Sequence, residues 1–199
     1  MLLPFYQDKI TEAGCDEAGR GCFAGPVFAA AVILPVNFHH PLLNDSKLLS
    51  ENHRNQLRPV IEREAVSYAV ASIDNEEIDQ INILKASFKA MHLALDNLKK
   101  RPQLLLIDGN RFNSYEGVSH ACIIKGDAKF LSIAAASVLA KTHRDEIMQS
   151  LHFEYPQYSW NTNKGYPTKK HREAIAEIGA SPYHRLSFTL LPEQLKLEF

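Results

Sequence analysis

Residues 127–151 run without a glycine or a proline and are dense in alanine. Nothing in that stretch interrupts a helix, so one long helix is fixed before anything else is placed. Ahead of it lie short stretches of apolar, β-branched or small residues. Residues 27–34, 66–73 and 104–107 read as strands, 11–16 as a strand of weaker pattern, and 121–124 as a fifth. Ser50 can cap a helix reaching about Arg63. Residues 82–99 place Ile83, Leu84, Phe88, Met91, Leu95 and Leu98 at the three- and four-residue spacing of one buried helix face. A further helix is expected near 168–178. Early strands followed by mixed helices and strands indicate an α/β sheet domain.

The chain has 199 residues, enough for one substantial core, and shows no repeat, low-complexity tract or linker. A single domain over 1–199 is expected, with a turn-rich C-terminal part. The longest apolar stretch, 23–36, is broken by Pro26 and Pro35 and is too short to span a bilayer. The N-terminus has no basic start and no long apolar run, so no secretory signal is expected. Three cysteines without a C-x-x-C pair argue against structural zinc and for reduced thiols in the cytoplasm. The net charge of −1 is too small to grip nucleic acid alone, so such a function needs a local basic surface or bound cations. A monomer is the default expectation.

Carboxylates fall at the ends of these elements. Asp16 and Glu17 close the first strand and run into Gly19-Arg20-Gly21. Asp108 ends the strand 104–107, with Gly109 after it, and Asp127 opens the long helix after Gly126. Each alone has an ordinary explanation: a polar turn, an Asp-Gly turn, a helix N-cap. Together they stand where open α/β sheets bind ligands. Neighbouring residues of a strand point to opposite faces, so Asp16 and Glu17 share a site only if the strand ends near them.

The chemistry that suits such a cluster is phosphodiester hydrolysis. Ionised carboxylates are hard oxygen ligands for Mg²⁺ or Mn²⁺, and two such ions about 4 Å apart can activate water and stabilise the leaving oxygen. Without cations the acids would repel one another. Asp145 lies 18 residues past Asp127, about 27 Å along a straight helix, so it is read as the partner of a nearby cation rather than as a ligand.

At these positions the chain resembles the bacterial ribonuclease HII family. The likeness is carried by Gly14-Cys15-Asp16-Glu17-Ala18-Gly19-Arg20-Gly21, by Ala24-Gly25-Pro26-Val27 and by Asp45-Ser46-Lys47. It continues through Ile107-Asp108-Gly109, Lys125-Gly126-Asp127-Ala128-Lys129, the helix from Ile133 to Lys141 with Arg144-Asp145, Gly165-Tyr166-Pro167-Thr168 with His171, and Ser181-Pro182-Tyr183-His184-Arg185. The resemblance implies a ribonuclease H-like fold, with a central mixed sheet flanked by helices and a small helical C-terminal part (about 155–199) that binds substrate. It implies Asp16, Glu17, Asp108 and Asp127 as catalytic, metal-binding carboxylates holding two divalent cations, Mn²⁺ or Mg²⁺. It also implies that the Gly19-Arg20-Gly21 backbone reads the ribose 2′-hydroxyl and that Tyr166 stacks on the following deoxyribose. The substrates would be RNA–DNA hybrids and duplex DNA carrying ribonucleotides, cut on the 5′ side of the ribonucleotide to leave 3′-hydroxyl and 5′-phosphate ends.

Lys47 and Arg144 are further candidates for substrate contact, Arg144 with Lys141 one helical turn away. Lys164, Lys169, Lys170 and Arg172 form a basic stretch around Tyr166. His171 is expected near the site as a hydrogen-bonding or packing residue, and Trp160 in the core. Two other functions compete: a DNA-only resolvase or integrase core, which needs no 2′-hydroxyl reader, and a non-catalytic hybrid-binding module, which would gain by losing acids that repel phosphate.

Overall fold

The computed structural model describes residues 2–43 and 49–191, so Lys47 and its neighbours Asp45 and Ser46 lie outside the described residues. Five strands form one sheet: β1 (Glu12–Ala18), β2 (Val27–Ile33), β3 (Ser67–Ile73), β4 (Leu104–Asp108) and β5 (Ser119–Ile123). Their order is β3-β2-β1-β4-β5. The first three pair antiparallel, whereas β4 and β5 run parallel to β1. The sheet is therefore mixed, as expected. The helices are α1 (Glu51–Glu64), α2 (Asn75–Ile81), α3 (Ile83–Asp96), α4 (Leu131–Glu154), α5 (Trp160–Asn163) and α6 (Lys169–Ile178).

Strand alternation sorts the core into two faces. Ala13 and Cys15 of β1 join Ala90, Met91 and Ala94 of α3 on one side. On the other, Ala30 and Val32 of β2 pack with Ala134, Ala135, Ala136, Val138 and Leu139 of α4 and with Leu57 and Ile61 of α1. Gly14 marks where α4 crosses β1, because a Cβ there would lie 2.2 Å from the Ser132 carbonyl carbon. The small residues Ala29, Ala30 and Ala31 of β2, all fully buried, let helices close on both faces of that strand. Beyond α4, Tyr158, Trp160 and Ile175 pack on Phe23, Met148 and Leu151. The C-terminal helices thus sit on the end of α4 and on the loop leaving β1.

Three elements depart from expectation, the short α5 in the turn-rich C-terminal part among them. Helix α2 was not anticipated, although its signal is present: Asp74 accepts from the Glu77 N–H at 2.8 Å, a capping pair of D-x-x-E form. The long helix begins at Leu131, not at Asp127. Lys125 adopts a left-handed conformation (φ 56°), residues 126–128 make a 3₁₀ turn, and Phe130 is extended (φ −125°, ψ 134°). Asp127 is therefore not the N-cap of α4. No helix among the described residues is long and apolar enough to cross a membrane.

Candidate active site

The acids gather where β1 and β4 end side by side. Cys15 pairs with Ile107 in register, so the next residues, Asp16 and Asp108, stand level on neighbouring parallel strands. β1 continues to Ala18, and so Asp16 and Glu17 do point to opposite faces. Convergence comes from Asp108 instead, since its charge acts on both. Asp16, Glu17 and Asp108 line one cavity of about 430 Å³ together with Gly19, Arg20, Gly21, Arg54, Ser137, Lys141 and Tyr166.

Each acid is held differently. Asp16 is buried, accepts from the Glu17 N–H at 2.7 Å and is hydrogen-bonded by Ser137 of α4. Burial, then the charges of Glu17 and Asp108, push its pKa well above the usual carboxylate range. Burial also raises Glu17, against the opposing pull of Arg20, whose Nη1 lies 2.9 Å from Glu17 Oε1. Asp108 Oδ1 accepts from the Gly126 N–H at 2.7 Å. The structure leaves Asp127 behind this arrangement: it follows Gly126 in the 3₁₀ turn, is fully buried, and is not among the residues lining the cavity.

The rim opposite the acids is the loop from Gly19 to Pro26, and two fully buried arginines secure it from below. Arg144 donates Nε to the Pro26 carbonyl (3.0 Å), Nη1 to Lys164 (2.8 Å) and Nη2 to Ala24 (3.0 Å). Arg185 donates Nη1 to the Arg20 carbonyl (3.0 Å), and Nε and Nη2 to Gly25 (3.0 and 2.8 Å). Gly19 (φ 96°) lies directly on Arg144, where a Cβ would meet Nε at 2.1 Å. These contacts correct the expectation for Arg144. With no exposed surface and three carbonyl partners, it is an anchor of the loop and does not face a nucleic-acid backbone. Arg185 was missed altogether as a residue of the site; its presence in the Ser181–Arg185 segment carried no local sign of its reach.

Tyr166 is two-fifths exposed at the cavity edge, and its carbonyl closes a buried network. Ser181 N–H donates to His184 Nδ1 at 2.9 Å. The His184 proton therefore sits on Nε2, which meets His171 Nε2 at 3.1 Å. That nitrogen also accepts from Trp160 Nε1 at 3.0 Å, leaving His171 Nδ1–H to donate to the Tyr166 carbonyl at 2.9 Å. Burial lowers the His184 pKa to about 4, with His171 contributing, and lowers that of His171 as well. His171 thus lies behind the site as a hydrogen-bonding residue, and Trp160 is in the core, both as expected.

Asp145 pairs with Lys141 one turn earlier on α4, the cation partner expected for it. Arg54, on α1, was not foreseen as a cavity residue; with Lys141 it gives the cavity two cations besides Arg20. Lys164 is buried and reaches Glu51 at 3.4 Å, whereas Lys169 stays exposed beside Glu173. Cys15 and Cys22 are buried free thiols and Cys122 is an exposed one. Among the described residues, no group of three or more His, Cys, Asp or Glu is arranged to hold a metal ion as it stands.

A mixed five-stranded sheet between helices, with acids at adjoining strand ends, defines a nuclease of the ribonuclease H-like fold. Ribonuclease H2 from Pyrococcus horikoshii OT3 shares it, with a TM-score of 0.75 at 25% identity, covering 91% of this chain and 95% of that one. Residues 13–191 match the model of the family described as Ribonuclease HII, and the chain belongs to that family. It is similar to ribonuclease HII of Bacteroides thetaiotaomicron, 64% identical over 200 residues, and of Parabacteroides distasonis, 64% identical over 199; both chains are covered in full in each case.

Proposed function

We propose that the protein is a metal-dependent endoribonuclease acting on RNA–DNA hybrids and on single ribonucleotides embedded in duplex DNA. It hydrolyses the phosphodiester 5′ of the ribonucleotide and leaves 3′-hydroxyl and 5′-phosphate ends. The observation that carries this reading is the shared cavity: Asp16, Glu17 and Asp108 line the same space as Gly19-Arg20-Gly21 and Tyr166.

The donor set suits divalent cations. Hard carboxylate oxygens match Mg²⁺ or Mn²⁺, and the raised pKa values of Asp16 and Glu17 reflect burial and crowding that a nearby cation would offset. Mg²⁺ in particular keeps several waters and takes substrate phosphate as ligand, so it needs few protein carboxylates. Asp16, Glu17 and Asp108 would hold two such ions, with Asp127 as a fourth carboxylate. The chemistry supplied on binding is polarisation of the phosphoryl oxygen and a water reactive at neutral pH.

The chain's own groups do the rest. Arg20, Arg54 and Lys141 are cations facing the cavity and suit neighbouring phosphates. The Gly19-Arg20-Gly21 backbone reads the 2′-hydroxyl, the one group that separates a ribonucleotide from a deoxyribonucleotide. Tyr166 packs on the sugar that follows, and the C-terminal helices beyond about residue 155 carry this half of the substrate surface. Cleavage of matched duplexes, one with a single ribonucleotide and one all DNA, with and without Mn²⁺, tests the proposal. Metal-dependent cutting of the first alone is expected; equal cutting of both would favour a DNA-only nuclease, and no cutting would favour a binding module.

A further inference from the structure

We infer that Arg185 is the positioning residue of 2′-hydroxyl recognition: it turns the Gly21 N–H out into the cavity as a donor to the ribose. The inference rests on the reading of the Gly19-Arg20-Gly21 loop given above. Arg185 lies 165 residues from Arg20 in sequence, yet its Nη1 takes the Arg20 carbonyl from beneath while Nε and Nη2 grip the Gly25 carbonyl. Its own N–H donates to the Phe23 carbonyl at 2.8 Å, and its guanidinium lies 5.3 Å from the centre of the Phe188 ring. The planar fork is therefore fixed before it reaches the loop.

Peptide geometry does the remaining work. Among the described residues there are no cis peptide bonds, and in a trans peptide the C=O and the following N–H point in opposite directions. With the Arg20 carbonyl drawn inward to Arg185, the Gly21 N–H is directed outward. Gly21 is exposed, a Cβ built on it meets nothing within 4 Å, and it lines the cavity beside Asp16, Glu17 and Tyr166. Among the described residues no protein acceptor takes that N–H. The Gly19 carbonyl is occupied separately by the Cys22 N–H at 3.3 Å, which closes the turn.

Arg144 cannot substitute for Arg185. It holds Ala24, Pro26 and Lys164 and makes no hydrogen bond to Arg20. A lysine at 185 lacks the fork that spans two carbonyls. Burial lowers the Arg185 pKa only to about 10, so at neutral pH the cation persists and its hydrogen bonds are charge-assisted.

The test uses the full chain in an Asp108→Asn background, so that substrate is bound and not cut. Affinities are measured for a duplex with one ribonucleotide and for the same duplex in DNA, and the Gly21 amide resonance is followed by NMR. The parent should prefer the ribonucleotide duplex on the order of tenfold, the scale of one buried hydrogen bond, with the Gly21 amide shifting for that duplex alone. Arg185→Lys should bring the preference to about twofold or less, the ratio of the two affinities being the readout. Should that variant not fold, the same ratio is read on Arg185→Ala with and without millimolar methylguanidinium, which should restore the preference. A folded Arg185→Lys protein that keeps the full preference, or no rescue in the alanine variant, overturns the role of Arg185. A parent that shows neither preference nor a Gly21 response overturns the reading of the loop itself.

Discussion

The two sides of the cavity are built on opposite principles. On the strand-end side, carboxylates are crowded, partly desolvated and raised in pKa by burial and by one another. On the loop side, buried polar groups are matched to partners: two guanidinium groups donate six hydrogen bonds to backbone carbonyls, and two histidines connect Ser181 and Trp160 to Tyr166. Repulsion left in place marks the side that must bind cations to become stable. Satisfaction marks the side whose shape is set before substrate arrives. Substitutions on the first side should therefore change chemistry and spare the fold, whereas those on the second should cost stability or substrate discrimination.

The largest effect is expected at Asp108. Asp108→Asn should keep the fold and lower cleavage of a ribonucleotide-containing duplex on the order of 10³-fold, since metal-borne charge stabilisation amounts to several kcal/mol. Single-turnover rates check this, and near-normal cutting would erase the contrast between the two sides. Arg144→Leu should do the reverse. It strands the Ala24, Pro26 and Lys164 carbonyls, at a cost of about 3 kcal/mol in urea unfolding; a loss under about 1 kcal/mol would mean that water replaces the guanidinium without penalty.

Tyr166→Ala should lower cleavage at single ribonucleotides about tenfold while Mn²⁺ binding is unchanged, because one stacking contact is worth roughly 1–3 kcal/mol. Equal rates for the two proteins would remove Tyr166 from substrate contact. The gentlest effect concerns pH. His184 has a folded-state pKa of about 4, below the ordinary histidine value of about 6.5. Between those values the unfolded chain binds a proton that the folded protein refuses, so stability is full above about 6.5 and declines as pH falls toward about 4. Thermal melts of wild type and His184→Gln across that range should converge at the acid end. A constant gap would place the acid sensitivity elsewhere.

Most of the scaffold was legible in the sequence because it rests on local pattern. The apolar runs of β2, β3 and β4 lie within one residue of where they were read, and the periodic face of α3 begins as read but the helix ends at Asp96, short of Leu98. The long helix was legible as a helix but not in its start, since the left-handed Lys125 and the extended Phe130 flank a turn whose Gly126 N–H is held by Asp108, a contact 18 residues away in sequence. The acids were legible as residues, yet strand alternation was expected to stop at Asp16-Glu17 and it does not. What could not be read is the support beneath the loop. Arg144 and Arg185 reach carbonyls 118 to 165 residues away as well as one 20 residues away, and no spacing rule encodes a carbonyl waiting in a distant turn. Arg144 was accordingly assigned to the surface by its helical neighbourhood, when tertiary packing buries it completely.

The measurement closest to the central claim is a calorimetric titration of Mn²⁺ into the wild-type protein and into Asp108→Asn at neutral pH. Strand-end carboxylates that act together should bind the ion in the wild type, and the variant should lose that binding while melting at an equal or higher temperature in metal-free buffer. Identical titrations of the two proteins, or no binding by either, would contradict the assignment of these acids as a cation site.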